Sequence, residues 1–422
     1  MKRLILIIIA TALLAISCRK EADYVPYIGE SGKLAYSTYT EQFEYIWKCI
    51  STGYVFWDVD TVDWDAAYRR FKPKFQALDN QCWDNGFVPT AELDSLYNDM
   101  MGSMRDHHMV VVIRNLHPAP GDEIDLAQVY PGRKEVYSRD YYFEHSTVEQ
   151  AGIKAFLADI ESHYTVAAHD SAEAYFPETG SSVSYVYCLI TLADGRKIPY
   201  LWQSMAAITP VMREQPEEPA GKLLDRWFRA IAETPRNQLA GIILDNRANR
   251  GGYQDDLDYL VGSYLNQRTC IMKTRYKEGP GRLEHSAWTP YYINPSNIYH
   301  RDLTAENIPY VVLCDVNSVS MGEIEPMIIR SVLPTAHTIG ERTFGGTGPL
   351  QPVSDINLNY GGPFGNYREH HHYVYTSTFE AQFNGKVLEG VGFTPDEVIL
   401  RKEHGGDLKS QLDAAVRYIS NQ

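Results

Sequence analysis

Two short apolar runs constrain the fold of this chain more than any other feature. Leu239 to Leu244 and Tyr310 to Leu313 carry no polar residue and are bounded by turns, the pattern of strands buried on both faces of a parallel sheet. Lys222 to Ala232 reads as an amphipathic helix before the first run, and Asp255 to Leu265 as a helix after it. Glu323 to Leu333 reads as a helix after the second run, and Thr338 to Gly340 continues the sheet. This β-α-β-α order predicts an α/β-layered core over residues 199–422, with its active groups at the C-terminal ends of the strands.

The remainder reads as two further regions. Over residues 36–114 an N-terminal helical domain is expected. Phe43, Trp47 and Ile50 share one helical face, Asp63 caps a second helix carrying Ala67, Tyr68 and Phe71, and Leu93, Leu96, Met100, Met101 and Met104 line a third from Thr90. That helix runs into Arg105-Asp106-His107-His108, and Met109 to Ile113 reads as a strand. Residues 115–198 form a β-containing middle region. Gly152 to His163 is helical there, and two strands, Ser182 to Leu192 and Lys197 to Trp202, are joined by an Asp194-Gly195 turn, a hairpin signal.

At the N-terminus, Lys2 and Arg3 precede an apolar stretch from Leu4 to Ile16 that ends in Ser17-Cys18. This is too short to span a bilayer and has the order of a secretory signal, assigned to residues 1–17. Leu14-Ala15-Ile16-Ser17-Cys18 resembles the lipobox of bacterial lipoproteins, which implies lipidation of Cys18, a polar tether over residues 18–35 and attachment to a membrane of the bacterial cell envelope, at the outer membrane on its periplasmic or surface face. A net charge of -15, with no basic stripe, argues against nucleic acid as a partner. The five other cysteines are widely spaced and form no C-x-x-C pair; Cys188 and Cys314 sit in apolar runs as buried small hydrophobes.

One segment carries the material of a catalytic centre. From Tyr310 a buried strand passes through Asp315-Val316-Asn317-Ser318-Val319-Ser320 into a helix. A serine at such a junction stands out from the sheet, and the N–H groups that follow it can stabilise an oxyanion. Taken alone, the segment equally suits a capping serine whose capping box is completed by Glu323.

The neighbouring motifs separate these readings. Asp245-Asn246-Arg247-Ala248-Asn249-Arg250-Gly251-Gly252, Ser318-Val319-Ser320-Met321-Gly322-Glu323, Gly340-Glu341-Arg342-Thr343-Phe344-Gly345-Gly346 and Leu388-Glu389-Gly390-Val391-Gly392-Phe393-Thr394-Pro395-Asp396 occur in that order. Together with Met104 to His108, they resemble the tricorn and C-terminal-processing serine peptidase superfamily. That resemblance implies a tail-specific-protease type of core, with Ser320 as nucleophile. The C-terminal-processing branch uses a lysine just after the T-F-G turn, but here the position is Gly346 and no lysine lies between Ser320 and Lys386. The tricorn-like branch activates its serine with a histidine supported by a glutamate. By that resemblance His108 is the base, Glu389 its orienter, and the N–H groups of Met321 and Gly251 the oxyanion donors.

Alternatives stay open at this stage. His107 can replace His108 as base, Asp106 can orient the imidazole, Glu389 can be a solvent-facing strand residue, and Asp245 and Arg247 suit a structural pair. The run His370-His371-His372 invites a metal, but adjacent strand residues face opposite sides, so no metal or other cofactor is expected. The implied activity is hydrolysis of peptides or unfolded proteins through an acyl-enzyme. One rival is a pseudo-peptidase that binds peptides or protein C-termini; another, motivated by 30 Tyr and 7 Trp, is a glycan-binding lipoprotein.

Overall fold

The computed structural model describes residues 38–85, 90–114, 116, 126–129, 150–350, 360–366 and 372–422. The signal segment, the lipobox with Cys18, its tether, and His370 and His371 lie outside the described residues.

Three helices, Tyr39–Gly53, Trp64–Asn85 and Thr90–Met101, lead into β1 (Val110–Arg114) and β2 (Leu126–Val129). A hairpin pair follows: β3 (Thr165–Phe176), β4 (Ser181–Thr191) and β5 (Lys197–Gln203). The chain continues through β6 (Ile242–Asp245), β7 (Thr269–Tyr276), β8 (Thr289–Ile293), β9 (Tyr310–Cys314), β10 (Ala336–Gly340), β11 (Phe364–Asn366), β12 (His372–Tyr375), β13 (Phe379–Gln382) and β14 (Glu397–Val398). The fold is α/β, as expected.

Seven strands form the central sheet in the order β14-β10-β9-β6-β5-β4-β3. The five from β14 to β5 run parallel, and β4 and β3 extend them as antiparallel hairpins. Alternation along the strands builds two cores. Ile242, Leu244, Tyr310 and Val312 face the helices Pro219–Glu233 and Met321–Val332, packing with Trp227, Phe228 and Ile328. Ile243, Val311 and Leu313 face the other side, against Leu412, Ala415 and Ile419 of the helix Lys409–Ser420. Both faces of β6 and β9 are buried, which is why their sequences are continuously apolar. The Asp194-Gly195 hairpin forms where expected, with Gly195 at φ +87°. Because β4 and β5 pair along their length, the expected boundary between residues 198 and 199 runs through this sheet. The expected Asp255–Leu265 helix is shorter, Asp256–Leu260, and ends in a 3-10 turn at Gly262–Tyr264.

A second sheet, β11-β12-β1-β2, carries the N-terminal helices. Phe43, Trp64, Phe75, Tyr97, Met100 and Met104 pack with Val111 and Val374 into one core. Asp63 caps its helix as expected, accepting the Ala66 N–H at 2.8 Å. The antiparallel pairing of β1 with β12 joins residues 110–113 to residues 372–375, so the chain just before β1 is brought against the C-terminal half. That chain is Asp106-His107-His108. A third sheet, β13-β7-β8, completes the described strands. Cys188 and Cys314 are fully buried, in keeping with the sequence reading.

Candidate active site

The turns after β6 and β9 are laced together at the C-terminal ends of these strands. Ser318 Oγ donates to the Asn246 carbonyl at 2.7 Å and accepts the Asp315 N–H at 2.9 Å. Asp315 Oδ1 also accepts the Ala248 N–H at 3.0 Å, and the Val319 N–H reaches the Asn249 carbonyl at 3.0 Å. Beneath them Asp245 and Arg247 form a fully buried ion pair at 2.6 Å, to which the Tyr200 hydroxyl donates at 2.7 Å. Removing one member of such a pair leaves an unpaired buried charge and costs about 3–5 kcal/mol. Asp245, Arg247 and Ser318 are therefore structural.

Ser320 differs from Ser318 in every respect that matters. It is partly exposed and sits at the start of the helix Met321–Val332 with φ +57° and ψ -128°. Few non-glycine residues adopt such a conformation, and strain of this kind costs about 1–3 kcal/mol, so the surrounding turns must enforce it. Its side chain makes no capping bond to the helix, which removes the serine half of the capping-box alternative. Gly251 packs on it so closely that any Cβ at 251 would collide with Ser320 Cβ. The Met321 N–H, at the first position of the helix, donates to no described residue, whereas the Gly251 N–H donates to Asn249 Oδ1 at 2.9 Å. Of the two expected oxyanion donors, Gly251 is thus engaged by its own turn.

Gly346 stands between Ser320 and His108. Its carbonyl accepts the Ser320 N–H at 3.0 Å. A Cβ built on it would lie 3.2 Å from His108 Cε1, 3.5 Å from Nδ1 and 2.9 Å from a Val319 methyl. The imidazole therefore lies in tight contact with the place where a side chain at position 346 would begin.

His107 takes another path. Its Nδ1 lies 2.8 Å from the Phe344 carbonyl, which can only accept, so that nitrogen carries the proton; the ring packs on Phe344. Its backbone N–H donates to Glu389 Oε1 at 2.7 Å. Glu389 is fully buried rather than solvent-facing, and its Oε2 accepts the N–H groups of Thr347 and Gly348 at 2.6 and 2.7 Å. Burial and the nearby Asp106 carboxylate push its pKa well up, while these donors favour the ionised form. Asp106 is also buried, accepting Thr376 Oγ1 at 2.6 Å, the Ser377 N–H at 2.8 Å and the His108 N–H at 2.8 Å. Side-chain atoms of Asp106, His108 and Glu389 lie within 4.8 Å of one another.

That trio, and the group Asp58, His285 and Glu380, are the described clusters with the donor set of a cation site. In the second, Arg275 already supplies positive charge to both carboxylates. His372 is buried beside Tyr45.

The sequence reading missed Glu323. Its carboxylate, fully buried, accepts Thr343 Oγ1 at 2.6 Å, the Gly346 N–H at 2.7 Å and the Gly345 N–H at 3.0 Å. Burial pushes its pKa to about 7. The signal was present, three residues after Ser320, but the capping box absorbed it.

Residues 215–399 match the model of peptidase family S41. No curated protein sequence matches the chain. Among solved structures, a candidate peptidase from Parabacteroides merdae is 20% identical with a TM-score of 0.61, over 91% of this chain and 97% of that one. Mature CPAF complexed with lactacystin is 12% identical with a TM-score of 0.54, over 91% and 99%. A second structure of mature CPAF is also 12% identical, with a TM-score of 0.50 over 86% and 92%. At these identities the likeness is one of fold.

Proposed function

From the match of residues 215–399 to peptidase family S41, we propose that this chain is an envelope-anchored serine endopeptidase that cleaves peptide bonds through an acyl-enzyme on Ser320. His108 takes the Ser320 Oγ proton as oxygen attacks the scissile carbonyl, then returns it to the leaving amine. A water molecule, deprotonated by the same imidazole, attacks the ester, releasing the acid and regenerating the serine. Glu389 or Asp106 stabilises the imidazolium, as a carboxylate does in other triads. The Met321 N–H, at the positive end of its helix, faces the developing oxyanion. The Gly251 N–H joins it on leaving Asn249. Cys18 carries the lipid that holds the protein at the membrane.

The observation that carries this reading is Gly346. A lysine base would have to start from this position, and the space beside it holds the imidazole of His108. The base is exchanged, not merely lost. Covalent labelling by a fluorophosphonate tests the reading: wild type should label and Ser320→Ala should not. Lactacystin, bound by mature CPAF, is a second probe. Cys18→Ser should move the protein from the membrane to a soluble or unprocessed fraction; a wild type that takes up no fatty acid and fractionates as soluble would remove the anchor from the account.

One observation favours the rival pseudo-peptidase that binds peptides or protein C-termini: the Gly251 N–H is tied to Asn249. If wild type neither labels nor turns over peptides, that rival holds.

A further inference from the structure

Four consecutive backbone N–H groups point at two buried carboxylates. Gly345 and Gly346 donate to Glu323 at 3.0 and 2.7 Å, and Thr347 and Gly348 donate to Glu389 at 2.6 and 2.7 Å. The proposed reaction accounts for Glu389 but makes no use of Glu323. A fully buried carboxylate is costly unless its partners compensate. The partners of the Glu323 carboxylate, Thr343 Oγ1 and the N–H groups of Gly345 and Gly346, are all donors, the set an ionised carboxylate requires. A helix cap alone would need none of the contacts to Thr343, Gly345 and Gly346.

What those contacts hold is the residue between the two reacting side chains. Gly346 receives the Ser320 N–H on its carbonyl, and a Cβ added to it would lie 3.2 Å from the His108 ring. We propose that Glu323 is a positioning residue for the Ser320–His108 pair: its carboxylate fixes the Gly345-Gly346 turn, and the turn sets the approach of imidazole to hydroxyl. This rests on the reading of Ser320 and His108 given above. A shift of about 1 Å in such a pair is enough to cost on the order of 100-fold in rate, with the substrate-binding surface untouched.

Glu323→Gln keeps the shape and replaces one acceptor oxygen by an NH2 group facing donors. The expected result is a kcat lowered roughly 10- to 100-fold, with KM changed by less than about twofold. Fluorophosphonate labelling of Ser320 should slow in proportion while the melting curve reports a folded protein. Thr343→Val, which deletes one donor to the same carboxylate, should lower kcat less, in the same direction. A folded Glu323→Gln protein with wild-type kcat and labelling rate overturns the proposal and leaves the Ser320–His108 reading standing; so does a loss confined to KM. If Glu323→Gln fails to fold, Thr343→Val decides, and an unchanged kcat there overturns it. A wild type that neither labels nor turns over removes both.

Discussion

Around Ser320 the contacts are local to one sheet. The turns after β6 and β9 are adjacent in space because their strands are paired, and backbone groups bind them to each other. Around His108 the contacts join the ends of the chain. The Arg105 side chain donates to the Glu389 carbonyl at 2.5 Å, and the His107 N–H donates to the Glu389 carboxylate across 282 residues. The proposed nucleophile is held by the core of the domain, whereas the proposed base is delivered by docking the N-terminal helices and the β11-β12-β1-β2 sheet. The comparison teaches that nucleophile geometry should survive damage that destroys the catalytic pair.

The hardest blow to this comparison is a side chain at Gly346. Gly346→Lys should not restore a lysine dyad; it should push His108 aside and lower kcat/KM by on the order of 10³ or more. A Gly346→Lys protein with near-wild-type activity would mean that base and loop are independent. Arg105→Ala comes next. It removes the bond to the Glu389 carbonyl and another to the Val59 carbonyl at 3.0 Å, and should cost roughly 10-fold in kcat. Ser318→Ala tests the opposite side. It loses buried bonds worth about 1–3 kcal/mol of stability, yet the folded fraction should keep most of its activity. If instead Ser318→Ala is inactive and Ser320→Ala active, the nucleophile has been placed on the wrong serine.

The smallest effect separates stability from activity by pH. Burial raises the pKa of Glu323 and Glu380 to about 7 and raises that of Asp256. In an unfolded chain such groups titrate near ~4. Between those values the folded state binds more protons than the unfolded, so stability falls as pH rises through about 4.5 to 7. Acidification from pH 7.5 to 5.5 should therefore raise the melting temperature by roughly 2–5 °C. Peptidase activity should fall over the same range, as histidine takes a proton. A melting temperature that drops with activity would contradict the sign.

Legibility followed the same division between local and long-range contacts. The buried parallel strands, the Asp194-Gly195 hairpin and the Asp245–Arg247 pair announce themselves through local patterns, and Ser320 lies beside two of them. β3 was not legible, because most of its side chains are exposed or partly exposed, leaving no apolar run to read. The pairing of β1 with β12 depends on segments some 260 residues apart, which no window of sequence brings together. The family resemblance supplied Glu389, but its burial and its contacts to residues 107, 347 and 348 belong to tertiary structure alone. Glu323 was hidden by ambiguity, since a glutamate three residues after a serine is also the mark of a capped helix.

The central claim is that His108, carried by the docked N-terminal region, activates a serine built into the sheet. His108→Ala tests it most directly, read by fluorophosphonate labelling of Ser320 beside a melting curve. The account predicts loss of labelling and turnover by several orders of magnitude with the melting temperature nearly unchanged. Full labelling and turnover in a folded His108→Ala protein would contradict it.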